Sequence, residues 1–575
     1  MSIPSKSNPI LYLSAKTWEY SQGNRTNVVI YIILCALANA ATLLEPLGIA
    51  RLLNYLQTNG LSPATFPRAV LYLGFIFATN IVFWIFNGPA RLIETANAFR
   101  VRAAYKNHLL AGTMALPVSW HTDHHSGDTI DKIEKGTTAL YQFATDTFLI
   151  IGSFMRLIGS YIALVYFNFS SLYIIAVMVI VTIGILIKID KKLVAQYEEL
   201  FKGENGVSAK VYDALSNIVT IIILRIERPI LNAIKEKMQG MFPLFMKSSW
   251  LNEIKWFMAM VMNYLVVCLV LGSYLLEHLH VGGAVAIGTL YALYGYVQRI
   301  NDLSFSFAFT YGTIIRQKTA VLNAEEVARE FIKSAAMPPE IDPGSSWKKI
   351  AIQGLTFSYH TNDGADLHLD NISITINRGE KIALIGESGS GKTTFLKLVR
   401  GLYTPQKLEL FLDGKKLADG FSNLSHSISL IPQEPEIFAT TVRENITVGL
   451  EVDQKDIDAA IDLACFATVA ERLPKKLDSS IVEKGVNLSG GEKQRLALAR
   501  GLLASRDKAI ILLDEPTSSV DSRNERTIYE GIFMRFADKT VISSIHRLHL
   551  LPLFDRIIMF GQGKILDQGT FDDLH

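Results

Sequence analysis

A glycine-rich segment with one lysine and two threonines carries the clearest chemistry in this 575-residue sequence. The stretch Gly386–Thr394 reads GESGSGKTT and fits the pattern G-x-x-x-x-G-K-[ST]. Glycines let backbone N–H groups turn inward around phosphate oxygens, and a following helix N-terminus adds the positive end of its dipole. In such a loop Lys392 would bridge the β- and γ-phosphates of a nucleotide, and the Thr393 hydroxyl would ligate Mg²⁺.

A pair of acidic residues after an apolar run forms the second motif. The segment Ala509–Asp521 reads AIILLDEPTSSVD. We interpret it as a buried strand with carboxylates at its C-terminal end, where open α/β sheets bind ligands. Asp514 is then expected to hold Mg²⁺ through water, and Glu515 to polarise the attacking water as general base.

The elements around these motifs support a P-loop domain of α/β class. The residues before the glycine-rich loop, KIALI, have a strand pattern, and FLKLVRGL after it is helical. A Pro-, Gly- and Ser-rich stretch precedes the domain and is typical of a linker. We therefore assign residues 332–347 to a linker and residues 348–575 to the α/β domain.

The part of the chain before about residue 315 is far more apolar than the rest. Hydrophobic residues make up 49% of the whole sequence and charged residues 19%. A helix that crosses a bilayer needs about 20 mostly apolar residues. Six stretches meet this requirement, so we predict an all-α polytopic membrane domain over 26–331, after an N-terminal segment of 1–25. The spans are Thr26–Leu44, Ala69–Ala90, Phe148–Phe167, Leu172–Ile187, Trp256–Leu276 and Val281–Gln298.

The distribution of lysine and arginine predicts the orientation of these spans. The linkers after spans one, three and five lack both residue types, whereas those after spans two and four are long and rich in them. Positive residues favour the cytoplasmic side, so we expect the N-terminus and the α/β domain in the cytoplasm. Helical periodicity continues through Arg91–Leu116 and Lys191–Met238. Within these extensions, Trp120–Gly127 and Val207–Ser216 are candidate contacts with the α/β domain.

Two ionisable residues at membrane depth, Glu45 and Arg156, are expected to face a cavity or a partner. Arg156 could contact an anionic cargo group, or it could pair with a carboxylate or a backbone carbonyl. Pro46 is expected to loosen the first helix locally. We assign no metal site to the histidines of WHTDHHSG, because no second ligand cluster accompanies them. The three cysteines form no CxxC or Cys/His cluster.

The segment Leu488–Arg495, LSGGEKQR, resembles the signature motif of ABC ATPases. Together with the two motifs above and the six spans, the whole chain resembles a half-size ABC exporter of the type IV transporter fold. This resemblance implies catalytic roles for Glu515, His546 and Gln433, and Mg²⁺ contacts from Thr393, Gln433 and Asp514. It implies ATP contacts by Tyr359, Gly386, Ser388, Gly389, Ser390, Gly391, Lys392, Thr393, Thr394, Ser489, Gly490 and Gly491.

In this family two ATPase domains pack head to tail, and Ser489–Gly491 of one covers the γ-phosphate bound by the other. The resemblance therefore implies a dimer. A homodimer is favoured, since Glu515 and His546 are both present, while a heterodimer stays open. Glu483 matches the exporter-specific loop that meets the cytoplasmic helices, and Ser518–Asp521 matches the D-loop. Glu492 stands where many members have glutamine, and YTPQKLELFLDG lacks a glycine often found there.

The leading functional hypothesis is an ATP-hydrolysing exporter or flippase of the bacterial plasma membrane that works by alternating access. An importer of the same fold, a gated channel and a regulatory ATPase remain alternatives. The net charge of +2 and the six spans argue against a nucleic-acid partner. About 25 residues precede the first span, which disfavours a peptidase-linked exporter. Lipid, lipopeptide, small drug and peptide all remain open as cargo, and membrane lipids are expected partners.

Overall fold

A computed structural model describes residues 8–124, 126–281, 285–334, 347–358, 368–434, 436–481 and 488–574. It divides the chain into two compact units, Met1–Met114 with Gly127–Arg329, and Ala115–Ser126 with Glu330–His575. Tyr359, Glu483, His125 and most of the predicted linker lie outside the described residues. The domain boundaries given above therefore stay a prediction.

The described part of the chain before the linker consists of helices joined by short non-helical segments. Several of its helices are longer than 40 residues, as expected for spans that continue past a membrane. The helices are α1 Pro9–Tyr20, α2 Arg25–Thr42, α3 Glu45–Asn59, α4 Phe66–Met114, α5 Val118–Asp123, α6 Ser126–Thr145, α7 Thr147–Phe167, α8 Ser171–Ser216, α9 Ile218–Leu224, α10 Glu227–Gly240, α11 Phe242–Val281 and α12 Ile287–Ser334.

Five helical segments of the described chain are long and apolar enough to cross a membrane. The sixth predicted span, Val281–Gln298, includes residues 282–284, which are not described, and α12 is not among the five. Five predicted spans thus lie within membrane-competent helices, and the sixth stays a prediction. The five segments are Arg25–Asn59, Phe66–Met114, Ser126–Phe167, Ser171–Ser216 and Glu227–His280.

The first span is broken where the sequence predicts it to be loose. Helix α2 ends at Thr42, and α3 begins at Glu45 with Pro46 in its first turn. A proline has no N–H to donate, so carbonyls of the preceding turn lose their helical partner. Tyr296 of α12 donates its hydroxyl to the Leu43 carbonyl at 2.7 Å.

Arg299 of α12 contacts both sides of this break. Its guanidinium donates to the Thr42 carbonyl and forms an ion pair with Glu45 at 2.8 Å. Glu45 therefore has a partner within the helical unit, as expected for a carboxylate at membrane depth. Arg156 donates its Nε to the Gly152 carbonyl of its own helix at 3.2 Å, which corresponds to the backbone-carbonyl alternative.

Helix α1 lies in the segment to which the sequence assigned no structure. Tyr20 packs on Tyr105 of α4, with ring centroids 4.7 Å apart. Lys16 pairs with Glu325 of α12 at 3.1 Å. These contacts join the N-terminal helix to two long helices that are distant in sequence.

The helical extensions of the predicted spans differ in part from the prediction. Helix α4 continues to Met114, in agreement with the periodicity, but helicity over Lys191–Met238 is interrupted twice. The first interruption is at Asn217, and the second is at Arg225, whose φ of 53° is incompatible with a continuing helix. Of the two candidate contact segments, Val207–Ser216 forms the end of α8, and most of Trp120–Gly127 belongs to α5 and the start of α6.

The described residues of the C-terminal unit form two sheets. A four-stranded antiparallel sheet has the order β2-β1-β4-β5, and a six-stranded sheet has the order β10-β9-β3-β8-β7-β6 and is parallel except for β10. The strands are β1 Lys349–Ser358, β2 His368–Asn377, β3 Lys381–Ile385, β4 Lys407–Leu412, β5 Lys415–Lys416, β6 Ile428–Ile431, β7 Ile510–Asp514, β8 Thr540–Ser544, β9 Arg556–Gly561 and β10 Lys564–Gly569.

Helices cover the larger sheet and supply its second layer. They are α13 Lys392–Val399, α14 Val442–Thr447, α15 Gln454–Leu463, α16 Ala467–Arg472, α17 Gly490–Ala504, α18 Ser522–Arg535 and α19 Phe571–Leu574. Side chains of β7 alternate between two hydrophobic cores. Ile511 and Leu513 pack into the core that α14–α18 share, and Leu512 packs into the core beneath the four-stranded sheet. Both predicted strands, KIALI and AIILLD, are therefore buried on both faces, as parallel strands are.

Candidate active site

The glycine-rich loop connects β3 to α13, as the sequence predicts. Gly386 has φ 142°, and a Cβ at this position would lie 2.2 Å from the carbonyl oxygen of Phe560 in the adjacent strand. Gly391 has φ 106° and caps the N-terminus of α13. Only glycine combines these backbone angles with so close an approach. The loop therefore leaves a concave backbone surface at a helix N-terminus, which favours anions.

Lys392, the first residue of α13, lies over this loop. Its Nζ donates to the carbonyls of Gly386 at 2.8 Å and Glu387 at 3.0 Å. Burial lowers the pKa of Lys392 below its ordinary value, although the carboxylates of Glu515 and Asp514 act in the opposite direction. The ammonium is thus held among loop carbonyls, beside the surface that favours anions.

Asp514 and Thr393 come together at the ends of two neighbouring elements. The Thr393 hydroxyl donates to Asp514 Oδ1 at 2.9 Å, and the hydroxyl of Ser544, at the end of β8, donates to the same oxygen at 2.9 Å. The parallel register pairs Asp514 with Ser544 directly. The sequence predicts Thr393 and Asp514 as one site, but it gave no sign of Ser544, which is a common residue at a strand end.

Glu515 lies between the two other predicted catalytic residues. Its carboxylate accepts from Gln433 Nε2 at 2.8 Å and lies 2.5 Å from His546 Nε2. The residue has φ 46°, an unusual backbone conformation for a non-glycine residue, and its N–H donates to the Ser544 hydroxyl at 2.9 Å. Backbone strain of this kind is retained at functional sites when the surroundings hold it in place. The structure therefore brings Gln433, Glu515 and His546 together.

The signature segment begins helix α17 with a capping box. The Ser489 hydroxyl accepts from the N–H of Glu492, whose carboxylate accepts from the Ser489 N–H at 2.8 Å. Glu492 also pairs with Arg472. Burial acts to raise the pKa of Glu492, but the Ser489 amide and Arg472 outweigh it, so the pKa lies below the ordinary value. The departure from glutamine is thus accommodated by a cap.

Ser489–Gly491 do not join the glycine-rich loop within one chain. Among the described residues, no hydrogen bond connects them to Gly386–Thr394. Gly491 instead packs on the D-loop, where an added Cβ would lie 2.6 Å from the Ser519 carbonyl oxygen. A single chain therefore does not bring the predicted site residues Ser489–Gly491 to the glycine-rich loop.

Gln494 is a positioning residue that the sequence analysis did not single out. It is 4% exposed and donates its amide to the Glu515 carbonyl at 3.1 Å and to the Ser518 hydroxyl at 2.9 Å. Its Oε1 accepts from the Ser519 N–H at 2.8 Å. Gln494 lies within LSGGEKQR, about one helical turn after Gly490. That spacing is the signal in the sequence that could have pointed to this residue. Gln494 links the signature helix to Glu515 and the D-loop.

A second unpredicted group joins the D-loop to the segment after β8. Glu525 of α18 is 4% exposed and accepts from the Thr517 hydroxyl at 2.7 Å. Arg547, the neighbour of His546, donates to Glu525 at 3.0 Å and to the Val520 carbonyl at 2.9 Å. No local sequence pattern connects these residues, because they meet only through the fold.

The residues present fit a nucleotide polyphosphate with a divalent cation. The glycines leave room for phosphate oxygens beside a helix N-terminus, and the Lys392 ammonium supplies positive charge. The Thr393 hydroxyl and the Asp514 carboxylate offer oxygen ligands 2.9 Å apart, the type that Mg²⁺ prefers. Glu515 adds a carboxylate of the kind that accepts a proton from water.

Comparisons with known proteins agree with this fold. Residues 28–297 match the family of the ABC transporter transmembrane region, and residues 369–518 match the ABC transporter family. The two matches together cover more than half of the chain. The fold and site define a membrane domain fused to an ABC-type ATPase domain, in the architecture of a half-size exporter. The chain belongs to the ABC transporters.

Individual relatives cover different shares of the chain. An ATP-dependent lipid A-core flippase of Idiomarina loihiensis is 26% identical over 83% of this chain and 81% of its own. The Mesentericin-Y105 transport/processing ATP-binding protein MesD of Leuconostoc mesenteroides is 37% identical over 43% of this chain and 33% of its own. The structure of a bacterial Atm1-family ABC exporter with ATP bound has a TM-score of 0.80, 22% identity and 96% coverage of both chains. The chain spans only 20% to 33% of the length of the first four curated relatives.

Proposed function

We propose that this chain is one half of an ATP-driven exporter of the bacterial plasma membrane. Two copies pair, and ATP binding and hydrolysis drive the membrane domains between inward- and outward-facing states. The observation that carries the proposal is the position of Glu515. It accepts from Gln433 and contacts His546, beside a phosphate-binding loop whose lysine and threonine are in place.

Each residue of the site has a defined task in hydrolysis. Glu515 accepts the proton of the attacking water, while Gln433 and His546 hold its carboxylate in orientation. Lys392 balances the negative charge of the phosphates at the N-terminus of α13. When bound, Mg²⁺ neutralises charge on the phosphates, and the residues that would hold it are Thr393, Gln433 and Asp514.

The proposal of a dimer is supported by the separation of the two nucleotide-binding motifs. Ser489–Gly491 begin a helix whose N-terminus favours an anion, yet they do not join the loop of their own chain. A second copy would bring its signature segment to the phosphates bound by this loop. The signature segment of the first copy would in turn reach the loop of the second. ATP would then be part of the interface, and its hydrolysis would release the two halves.

The direction and the cargo follow from relatives rather than from the site. By their names, one relative is a flippase of lipid A-core, and another transports and processes Mesentericin-Y105. We propose outward movement of an amphiphilic cargo, with the ATPase domain and N-terminus in the cytoplasm because of the lysine and arginine distribution.

The test is transport by the full chain in lipid vesicles with outward-facing ATPase domains. Added ATP should drive a fluorescent lipid or lipopeptide into the vesicle lumen, at a rate that follows ATP hydrolysis. Lys392→Ala should abolish both rates, and crosslinking should trap two chains per transporter in ATP. ATP hydrolysis by an isolated single chain would contradict the proposed dimer, and ATP-driven movement out of the lumen would indicate an importer.

A further inference from the structure

A pocket of about 580 Å³ lies among α7, α8, α11 and α12 within the helical unit. This volume is within the range of about 300–1,000 Å³ that is usual for small-molecule sites. Most of the wall is apolar and is supplied by residues of all four helices. These residues include Leu157, Ile175, Met178, Ala259, Val266 and Leu303. The pocket is therefore suited to a molecule with a hydrocarbon body.

Two asparagines in the wall have amide atoms that lack partners. Asn263 Oδ1 and Asn301 Nδ2 are buried and make no hydrogen bond within the described part of the chain. Asn301 is only 8% exposed. A buried polar atom without a partner is costly, and more so within a membrane, where water is scarce. Because each asparagine amide contains both a donor and an acceptor, the two together match a ligand group that also has both.

A single ion pair marks one end of the pocket. Lys255 and Asp190 are 2.7 Å apart, and they lie just outside the predicted spans that begin at Trp256 and end at Ile187. The distance along α11 from Lys255 to Val266 is about 16 Å at the usual helical rise. The pocket thus runs from a membrane boundary into the bilayer, and its described charged residues cancel each other. A ligand group held there is expected to be neutral.

We propose that this pocket binds an apolar molecule that carries an uncharged secondary amide. The amide N–H and C=O contact Asn263 and Asn301, and the hydrocarbon lies along the apolar wall. That this ligand is the cargo rests on the proposed function, which the inference deepens by naming a cargo class. An acyl-chain amide and an apolar peptide share this chemistry, and the test below distinguishes between them.

The test is photolabelling of the full chain in lipid nanodiscs without nucleotide. The probe is N-methyl dodecanamide with a diazirine on its chain, and the matched control is methyl dodecanoate with the same diazirine. The ester has an oxygen in place of the N–H group, so it keeps a carbonyl but has no donor. We expect the amide to label peptides of α7, α8, α11 and α12 about tenfold more strongly, the effect of one hydrogen bond. Competition by a blocked tri-leucine peptide would indicate a peptide source, and competition by unlabelled dodecanamide alone an acyl source.

Variants decide whether the asparagines act on the ligand or on the fold. Asn263→Leu should reduce amide labelling about tenfold and leave ester labelling unchanged, because only the amide has an N–H for Asn263 Oδ1. Asn301→Leu removes the donor to the carbonyl, which both probes have, and should reduce labelling by both about tenfold. Asn80→Leu, an exposed asparagine of α4 outside the pocket, should change neither. Ala259→Trp should block both probes by filling the pocket, which provides a second variant if a leucine variant fails to fold.

Three outcomes would overturn the proposal. They are equal labelling by amide and ester, labelling outside the four helices, and an Asn263→Leu variant that unfolds earlier but keeps the amide preference. Because no nucleotide is present, a chain without ATPase activity can still pass this test. A chain that hydrolyses ATP and moves cargo, but shows no preference for the amide probe, would contradict the pocket inference and leave the proposed function standing.

Discussion

Arg547, the residue after His546, forms an ion pair with Glu525 at 3.0 Å, and this pair ties the D-loop to the segment that follows β8. The other carboxylate oxygen of Glu525 accepts from Thr517, and Arg547 also donates to the Val520 carbonyl. The two segments therefore form one hydrogen-bonded unit next to Glu515. A contact that a second chain makes with the D-loop would be transmitted to His546 through this unit.

Glu525→Gln is expected to lower kcat for ATP hydrolysis about tenfold with little change in KM. Glutamine retains the shape of the side chain but loses the charge that holds Arg547 beside His546. The neighbouring pair Glu530 and Arg526 on α18 is exposed, so Glu530→Gln is the matched control and should leave kcat unchanged. The measurement is steady-state ATPase activity in nanodiscs. A tenfold rise in KM at constant kcat would argue against a positioning role.

The same variant should also lower stability, but only modestly. Breaking a buried pair is costly, yet Arg547 is 35% exposed and keeps access to water. We expect a loss of about 1 kcal/mol in the free energy of unfolding of the ATPase domain. Chemical denaturation of Glu525→Gln and Glu530→Gln provides the comparison.

Glu515→Gln should reduce ATP hydrolysis by at least about 100-fold and leave ATP binding intact. The new amide can still accept a hydrogen bond from Gln433 and donate one to His546. It cannot take a proton from water. Binding of a fluorescent ATP analogue and release of phosphate are the two measurements. Parent-like hydrolysis by this variant would show that another group is the general base.

Gly386→Ala should abolish nucleotide binding through a steric clash. The new methyl group would lie 2.2 Å from a carbonyl oxygen of β9, and φ 142° is unfavourable for alanine. Gly449→Ala separates the two effects, since Gly449 has φ 78° but no neighbouring atom within 4 Å. We expect Gly449→Ala to lose about 1 kcal/mol of stability and to bind ATP normally. Normal ATP affinity in Gly386→Ala would contradict the close packing of this loop.

The pair Glu45 and Arg299 should stabilise the break in the first span. A double-mutant cycle with Glu45→Gln and Arg299→Met is expected to give a coupling energy of about 1 kcal/mol, measured by thermal unfolding in nanodiscs. The surface pair Asp128 and Lys132 on α6 serves as control, with an expected coupling of about 0.3 kcal/mol. Zero coupling between Glu45 and Arg299 would mean that the carbonyl contacts alone hold the break.

The sequence by itself determined the features that depend on neighbours along the chain. The glycine-rich loop, the two buried strands and five membrane-competent helices are encoded in spacing and apolar periodicity, which act locally. The break near Pro46 belongs to the same group, because a missing N–H is a property of one residue. The expected Mg²⁺ chemistry placed Thr393 with Asp514, and the family resemblance placed Gln433 and His546 with Glu515.

Tertiary structure alone decided which distant residues complete these features. Glu45 meets Arg299 across 254 positions, and Glu525 meets Arg547 because α18 packs beside the end of β8. Ser544 joins Asp514 only through the parallel register of β7 and β8. Such contacts depend on strand order and helix packing, which no short window of sequence contains, and so the ion-pair partners of Glu45 and Glu525 could not be predicted.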